Sequence, residues 1–125
     1  MRGLTLDAGA LIGFDRKDRR AVALVTRAQQ NKVPLAIPAG VVGQAWRDGR
    51  KQARLAKLLR APGIEIEPLD AQRAREAGQL CGVRGTSDII DASVVLCARR
   101  RGQRIVTSDA ADMRRLDPSV EVEEL

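Results

Sequence analysis

The chain has no histidine and no tyrosine, and its only aromatic residues are Phe14 and Trp46. Without imidazole, the commonest general base and metal ligand are excluded together. With so few aromatics, binding nucleic acid by base stacking is also excluded as a dominant mode. Cys81 and Cys97 are too few for a disulfide framework, and Cys97 sits in an apolar helical run as a small core residue. No apolar run is long enough to span a bilayer and no cleavable signal precedes the first strand, so no membrane association and a cytoplasmic location are expected. Chemistry in such a chain falls to carboxylates, and clustered carboxylates point to a hard divalent cation.

What is present is an arginine-rich chain of 125 residues, with 22 Lys and Arg against 16 Asp and Glu, a net charge of +6. That length is expected to form a single domain over residues 1–125, with a core built from Ala, Val, Leu and Ile. The arginine clusters favour a polyanionic partner, because the guanidinium fork suits phosphate. They are equally readable as solvated helix faces.

Hydrophobic periodicity alternates between short strands and helices. Strands are expected at 3–7, 33–37, 64–68, 104–107 and 120–123. Helices are expected at 8–14, 19–31, 39–46 and 51–60, and from Asp70 to near Gly82. A further long helix is expected over 88–101, capped by Thr86 or Ser87 and stopped by Gly102, then a short one at 110–116. This alternation predicts an α/β fold, a three-layer α/β/α sandwich around a mostly parallel sheet. Ligands bind beyond the carboxyl ends of strands in such sheets. Asp7 and Asp109 fall at two such ends, and Asp88 and Asp91, three apart at a helix start, share one face. Each also has a plain structural explanation: Asp88 suits a helix dipole, and Asp7 and Asp109 suit turns. Asp91 is harder to explain away, because it lies beside Val94, Val95 and Ala98, where a half-buried carboxylate wants a partner.

Leu6-Asp7-Ala8 after the first strand, Asp91-Ala92 opening a helix that runs to Gly102, and Ile105-Val106-Thr107-Ser108-Asp109 together resemble a PIN domain. The nearer likeness is to the VapC-type ribonuclease toxins of bacterial toxin–antitoxin pairs, and it covers essentially the whole chain. The resemblance implies a magnesium- or manganese-dependent endoribonuclease, usually dimeric and neutralised by a small antitoxin protein. It implies Asp7, Asp91 and Asp109 as metal ligands, with Asp88 an added catalytic carboxylate. Gln44, Asp112 and Thr107 are candidates for support, and Arg47, Arg84 and Arg114 for holding the RNA backbone. The implied reaction is in-line attack by a metal-activated water, leaving a 5′-phosphate.

One position departs from the family. Gln44 stands where a glutamate is usual, and Asp48, one turn on, is a solvated helix-end residue or a compensating acid. The alternative function is therefore a PIN-fold protein that binds RNA or a partner with weak or no catalysis. A phosphoacceptor receiver-like domain fits poorly, because Asp7 lacks an acidic neighbour and no lysine follows Lys57. Leu11, Ile12, Leu55, Leu58 and Leu59 offer apolar surface that suits a homodimer and an antitoxin helix.

Overall fold

A computed structural model describes residues 2–125. Strands β1 (Leu4–Leu6), β2 (Leu35–Pro38), β3 (Ile64–Glu67), β4 (Arg104–Thr107) and β5 (Val122–Glu124) form one sheet in the order β3-β2-β1-β4-β5. Every pairing is parallel, with Leu4 opposite both Leu35 and Arg104. The expected "mostly parallel" sheet is thus wholly parallel, since even the last strand joins β4 in parallel.

Helices α1 (Ala8–Asp15), α2 (Arg19–Gln30), α3 (Ala39–Ala45) and α4 (Ala53–Leu59) connect the strands that run outward from β1 to β3. Helices α5 (Ala71–Arg84), α6 (Ile89–Arg101) and α7 (Ala110–Leu116) serve the return to β4 and β5. Right-handed crossovers put the first group on one face of the sheet and the second on the other. The packing agrees: α1 lies on α2, α3 and α4, while α6 lies on β1 and β2 and between α5 and α7. The α/β/α sandwich follows. The chain direction reverses between β1 and β4, and that switch point is where open α/β sheets leave a crevice.

Leu6, Leu11, Leu35, Ile37, Leu55, Val94, Val95 and Ile105 are completely or almost completely buried, so aliphatic side chains do make the core. Leu11, Leu55 and Leu58 are consumed there, and Ile12 and Leu59 are only partly covered against it. The apolar surplus expected on these segments is therefore mostly not displayed.

Most helix boundaries fall within two residues of the sequence reading, and at two helix ends the capping residue is a different one. α5 runs through Gly82 and ends at Gly85, whose φ of 69° is the left-handed closure that Gly82 does not supply. α6 is capped by Asp88 itself, whose Oδ1 accepts from Asp91 N at 3.0 Å, not by Thr86 or Ser87. A carboxylate competes better than a hydroxyl for the orphan amides of a first turn.

Candidate metal and nuclease site

Asp7 follows β1 directly and N-caps α1, its Oδ1 accepting from Ala10 N at 2.8 Å. The strand end and the helix start share this residue, so the carboxylate is pinned at the carboxyl edge of the sheet. Asp109 lies just past β4 and caps α7, accepting from Asp112 N at 3.2 Å. Asp88 caps α6 in the same way, and Asp91 sits in that helix's first turn. Three aspartates thus enter the site as N-caps of three different helices, each committing one oxygen to its own backbone.

Their electrostatics reveal their proximity. Asp7 is only 5% exposed, and burial is the main force raising its pKa, followed among the raising influences by the charge on Asp109. The Thr107 hydroxyl, hydrogen-bonded to Asp7, and the amides of Ala10 and Gly9 oppose that rise. Asp91 is pushed up to about 7 by burial first, then by the charges on Asp88, Asp112 and Asp7. Asp112 is also raised, chiefly through its hydrogen bond with Asp109 and that residue's charge. Among the described residues, no arginine or lysine forms an ion pair with any of these five. Arg115 offsets part of the charge on Asp112, but a concentration of like charge without an ion pair is unfavourable by itself and favours a cation that relieves it.

The donor set is all hard oxygen, which suits magnesium or manganese rather than zinc. As the side chains stand, however, no three acidic or sulfur ligands among the described residues are close enough to hold one ion. The capping bonds explain the separation, because each turns an Oδ1 toward its own helix. The chemistry of the donors fits a divalent cation.

The supporting candidates divide. Thr107 is fully buried and doubly placed: its Oγ1 accepts from Asp109 N at 2.9 Å and its hydroxyl serves Asp7. Gln44 is exposed on α3 and lines a groove of about 390 Å³ with Ile12, Arg16, Arg47 and Lys51. It shares a helix face with Gly40, one turn nearer the site, where an added Cβ would strike Ile90. Asp48 forms an exposed-side ion pair with Arg50 at 3.3 Å and borders the same groove as Gln44. Among the arginines, Arg47 Nη1 caps the end of α3 through Gly43 O and Trp46 O, at 3.0 and 2.7 Å. Arg84 Nε binds Arg115 O at 2.9 Å and ties α5 to α7. Arg114 is exposed on α7, with no ion pair or hydrogen bond among the described residues.

Three neighbours of the site escaped the sequence reading. The Ser108 hydroxyl lies so near Gly9 that any side chain there would collide with it. Gly9 therefore lets α1 start against the β4–α7 turn, and the Ser108-Asp109 pair was the available signal. Cys81 is a buried free thiol whose pKa is raised by burial and by Asp88 and Asp91, so α5 backs the cluster with sulfur rather than with a cation. A larger groove, of about 770 Å³, lies elsewhere, between α2 and the amino ends of β1 and β4, and contains none of the aspartates.

Comparison with known proteins identifies the fold and the family. The family model of the PIN domain matches residues 4–117. No curated protein sequence gives a significant match. Among solved structures, Mycobacterium tuberculosis VapC20, a toxin that cleaves the sarcin–ricin loop, superposes with TM-score 0.65 at 16% identity, covering 88% of this chain and 92% of that one. VapBC2 from Rickettsia felis, bound to a promoter DNA fragment, gives 0.70 at 16% identity over 98% of each chain. FitAcB from Neisseria gonorrhoeae gives 0.63 at 18% identity over 95% of each.

Proposed function

Because the chain belongs to the PIN domain family, we propose that it is a divalent-metal-dependent endoribonuclease and the toxin of a toxin–antitoxin pair. One observation carries the reading: five aspartates interact electrostatically at the switch point of the sheet with no ion pair to any of them among the described residues, in a protein of net charge +6. Acids to hold a cation and a basic body to attract RNA are thereby separated in space. Asp7, Asp91 and Asp109 would hold Mg²⁺ or Mn²⁺, with Asp88 contributing charge beside them. When bound, such an ion supplies water activation and neutralises the scissile phosphate.

The chain's own residues do the positioning. Thr107 links Asp7 to the Asp109 turn, so two of the proposed ligands move as one unit. Asp91 is held by the first turn of α6, which Asp88 caps. Arg114 is free to meet an RNA phosphate, whereas Arg47 and Arg84 each spend a nitrogen on a helix end. The toxin assignment rests on the family together with the VapC and FitAB likenesses. We propose accordingly a small antitoxin partner, a homodimeric state and action in the cytoplasm. No helix among the described residues is long and apolar enough to cross a membrane.

Cleavage of labelled RNA by the purified protein tests the reading. Activity should appear with Mg²⁺ or Mn²⁺ and vanish with EDTA. Undiminished cleavage in chelator overturns the metal mechanism. Gln44, uncharged at the position of the family's usual glutamate, favours the second reading, a PIN protein that binds without cutting. RNA retention without cleavage at any metal concentration would establish that reading instead.

A further inference from the structure

On the α1–α2–α4 surface, two adjoining grooves of about 410 and 550 Å³ share Thr26 and Arg54. Their charged lining is Lys17, Arg19, Arg27, Arg54 and Lys57, and no acidic residue lines either one. All five cations are exposed. None forms an ion pair among the described residues. The nearest acids in sequence are committed elsewhere: Asp15 receives Gln52 Nε2 at 3.0 Å, and Asp18 receives Arg20 N at 3.1 Å. What sets this surface apart is that its cations line two grooves from which acidic side chains are missing.

We infer that this surface is a second RNA-binding site, which grips the phosphate backbone of the substrate away from the aspartates. The chemistry of the lining selects the occupant. Phe14 and Leu58 in the floor are buried, while Val22, Ala23 and Ala61 leave some apolar surface in the lining. The polar groups of the lining are guanidinium, ammonium, hydroxyl and amide, a set dominated by donors with no carboxylate, which matches phosphodiester oxygens. Arg54 is already oriented, its guanidinium lying 5.6 Å over the Phe14 ring, so less side-chain freedom is lost on binding. Phe14 is near the carboxyl end of α1, roughly 10 Å along that helix from the Asp7 cap. A stem-loop could lie across this surface while a neighbouring segment reaches the aspartates. Donors of this kind read backbone and shape, as expected without aromatic stacking.

The inference takes from the nuclease reading only the identity of the polyanion. Its test is binding, not cleavage: anisotropy of a fluorescein-labelled RNA stem-loop in EDTA, over a range of salt, with Arg54→Gln/Lys57→Gln, Arg19→Gln/Arg27→Gln, and Arg75→Gln on α5 as the control. Arg19 and Arg27 make no side-chain hydrogen bond or ion pair among the described residues, so that variant keeps the test sound even if removing Arg54 from the Phe14 ring loosens the fold. Each double variant should bind roughly tenfold more weakly, with a salt slope shallower by about 0.7–0.9 for every phosphate no longer neutralised. Arg75→Gln should change little. A weakening per charge equal to that of Arg75→Gln would reduce the effect to net charge and overturn the site. A poly-glutamate peptide bound in place of RNA, and released by the same substitutions, would overturn it too, in favour of an acidic protein partner. Groove-dependent binding without any cleavage would leave this site standing and refute the nuclease, whereas full cleavage and binding by both double variants would do the reverse.

Discussion

At its amino end α6 brings Asp88 and Asp91 into a cluster that has no ion pair among the described residues, while at its carboxyl end Arg100 and Arg101 meet glutamates of β3. Arg100 Nη2 lies 2.6 Å from Glu67, which is only 5% exposed, and Arg101 Nη1 lies 2.8 Å from Glu65. The guanidinium of Arg101 holds the Glu65 carboxyl below its usual range, whereas burial and like charge push Asp91 up to about 7. One helix thus carries a satisfied carboxylate site and an unsatisfied one. Burial alone does not distinguish them, since Glu67 and Asp7 are both 5% exposed. The distinguishing feature is the ion-paired counter-charge, present at Glu65 and Glu67 and lacking at the aspartates.

Exchanging the character of the two ends is the way to break this contrast. The largest effect belongs to the unsatisfied end. Asp7→Asn, Asp91→Asn and Asp109→Asn should each lower metal-dependent RNA cleavage by about 100-fold or more while the metal-free protein stays folded. Wild-type turnover in any of them would remove that residue from the ligand set. At the satisfied end, Glu67→Gln should leave cleavage chemistry intact but destabilise the protein by roughly 3 kcal/mol, because two arginines lose a buried partner. Urea unfolding reads this directly, and a loss below about 1 kcal/mol would make the Glu67 cluster no more than a surface network.

A smaller change is expected at Gln44, the proposed replacement of the family's usual glutamate. Gln44→Glu should tighten Mg²⁺ binding, with a coupling of about 1–3 kcal/mol, and lower the stability of the metal-free protein. Calorimetry and thermal shift with and without Mg²⁺ would show both. Unchanged affinity and unchanged metal-free stability would mean that Gln44 belongs to the Arg16–Arg47 groove alone and not to the aspartate cluster.

The smallest effect concerns pH. The folded pKa of Asp91 lies above its ordinary value of 3.8, so the folded state favours the protonated acid. Its contribution to metal-free stability is complete below about pH 4 and declines as pH rises through 7. Asp91→Asn should therefore stabilise the metal-free protein at pH 8, by ~2 kcal/mol after allowance for solvent screening, and be near neutral at pH 4. A melting-temperature difference independent of pH would show that Asp91 does not titrate in that range.

Much of this organisation is written locally. The alternation of apolar runs with Gly and Pro stops set every strand and helix to within a few residues, and Asp7, Asp88 and Asp109 announce themselves by standing where helices begin. Gly82 and Gly85 show the limit: both can close a helix, and α5 closes at the second, one residue past Arg84, whose Nε binds Arg115 O of α7. The same limit hides the closeness of Gly9 to Ser108 and the pairing of Glu67 with Arg100, since each joins residues far apart in the chain. It also hides the fate of Leu11, Leu55 and Leu58, whose apolarity says that they will be covered and not by what.

The sequence by itself determined which residue types are available for chemistry, the α/β alternation and the aspartates at element boundaries, because these depend on composition and on interactions within a turn or two. Tertiary structure alone decided that β1 and β4 are neighbours at the switch point, that Asp91 shares a field with Asp7 and Asp112, and which arginines are paired. Coulomb interactions and desolvation depend on distance in space, and for segments about 80 residues apart that distance is set by the sheet order.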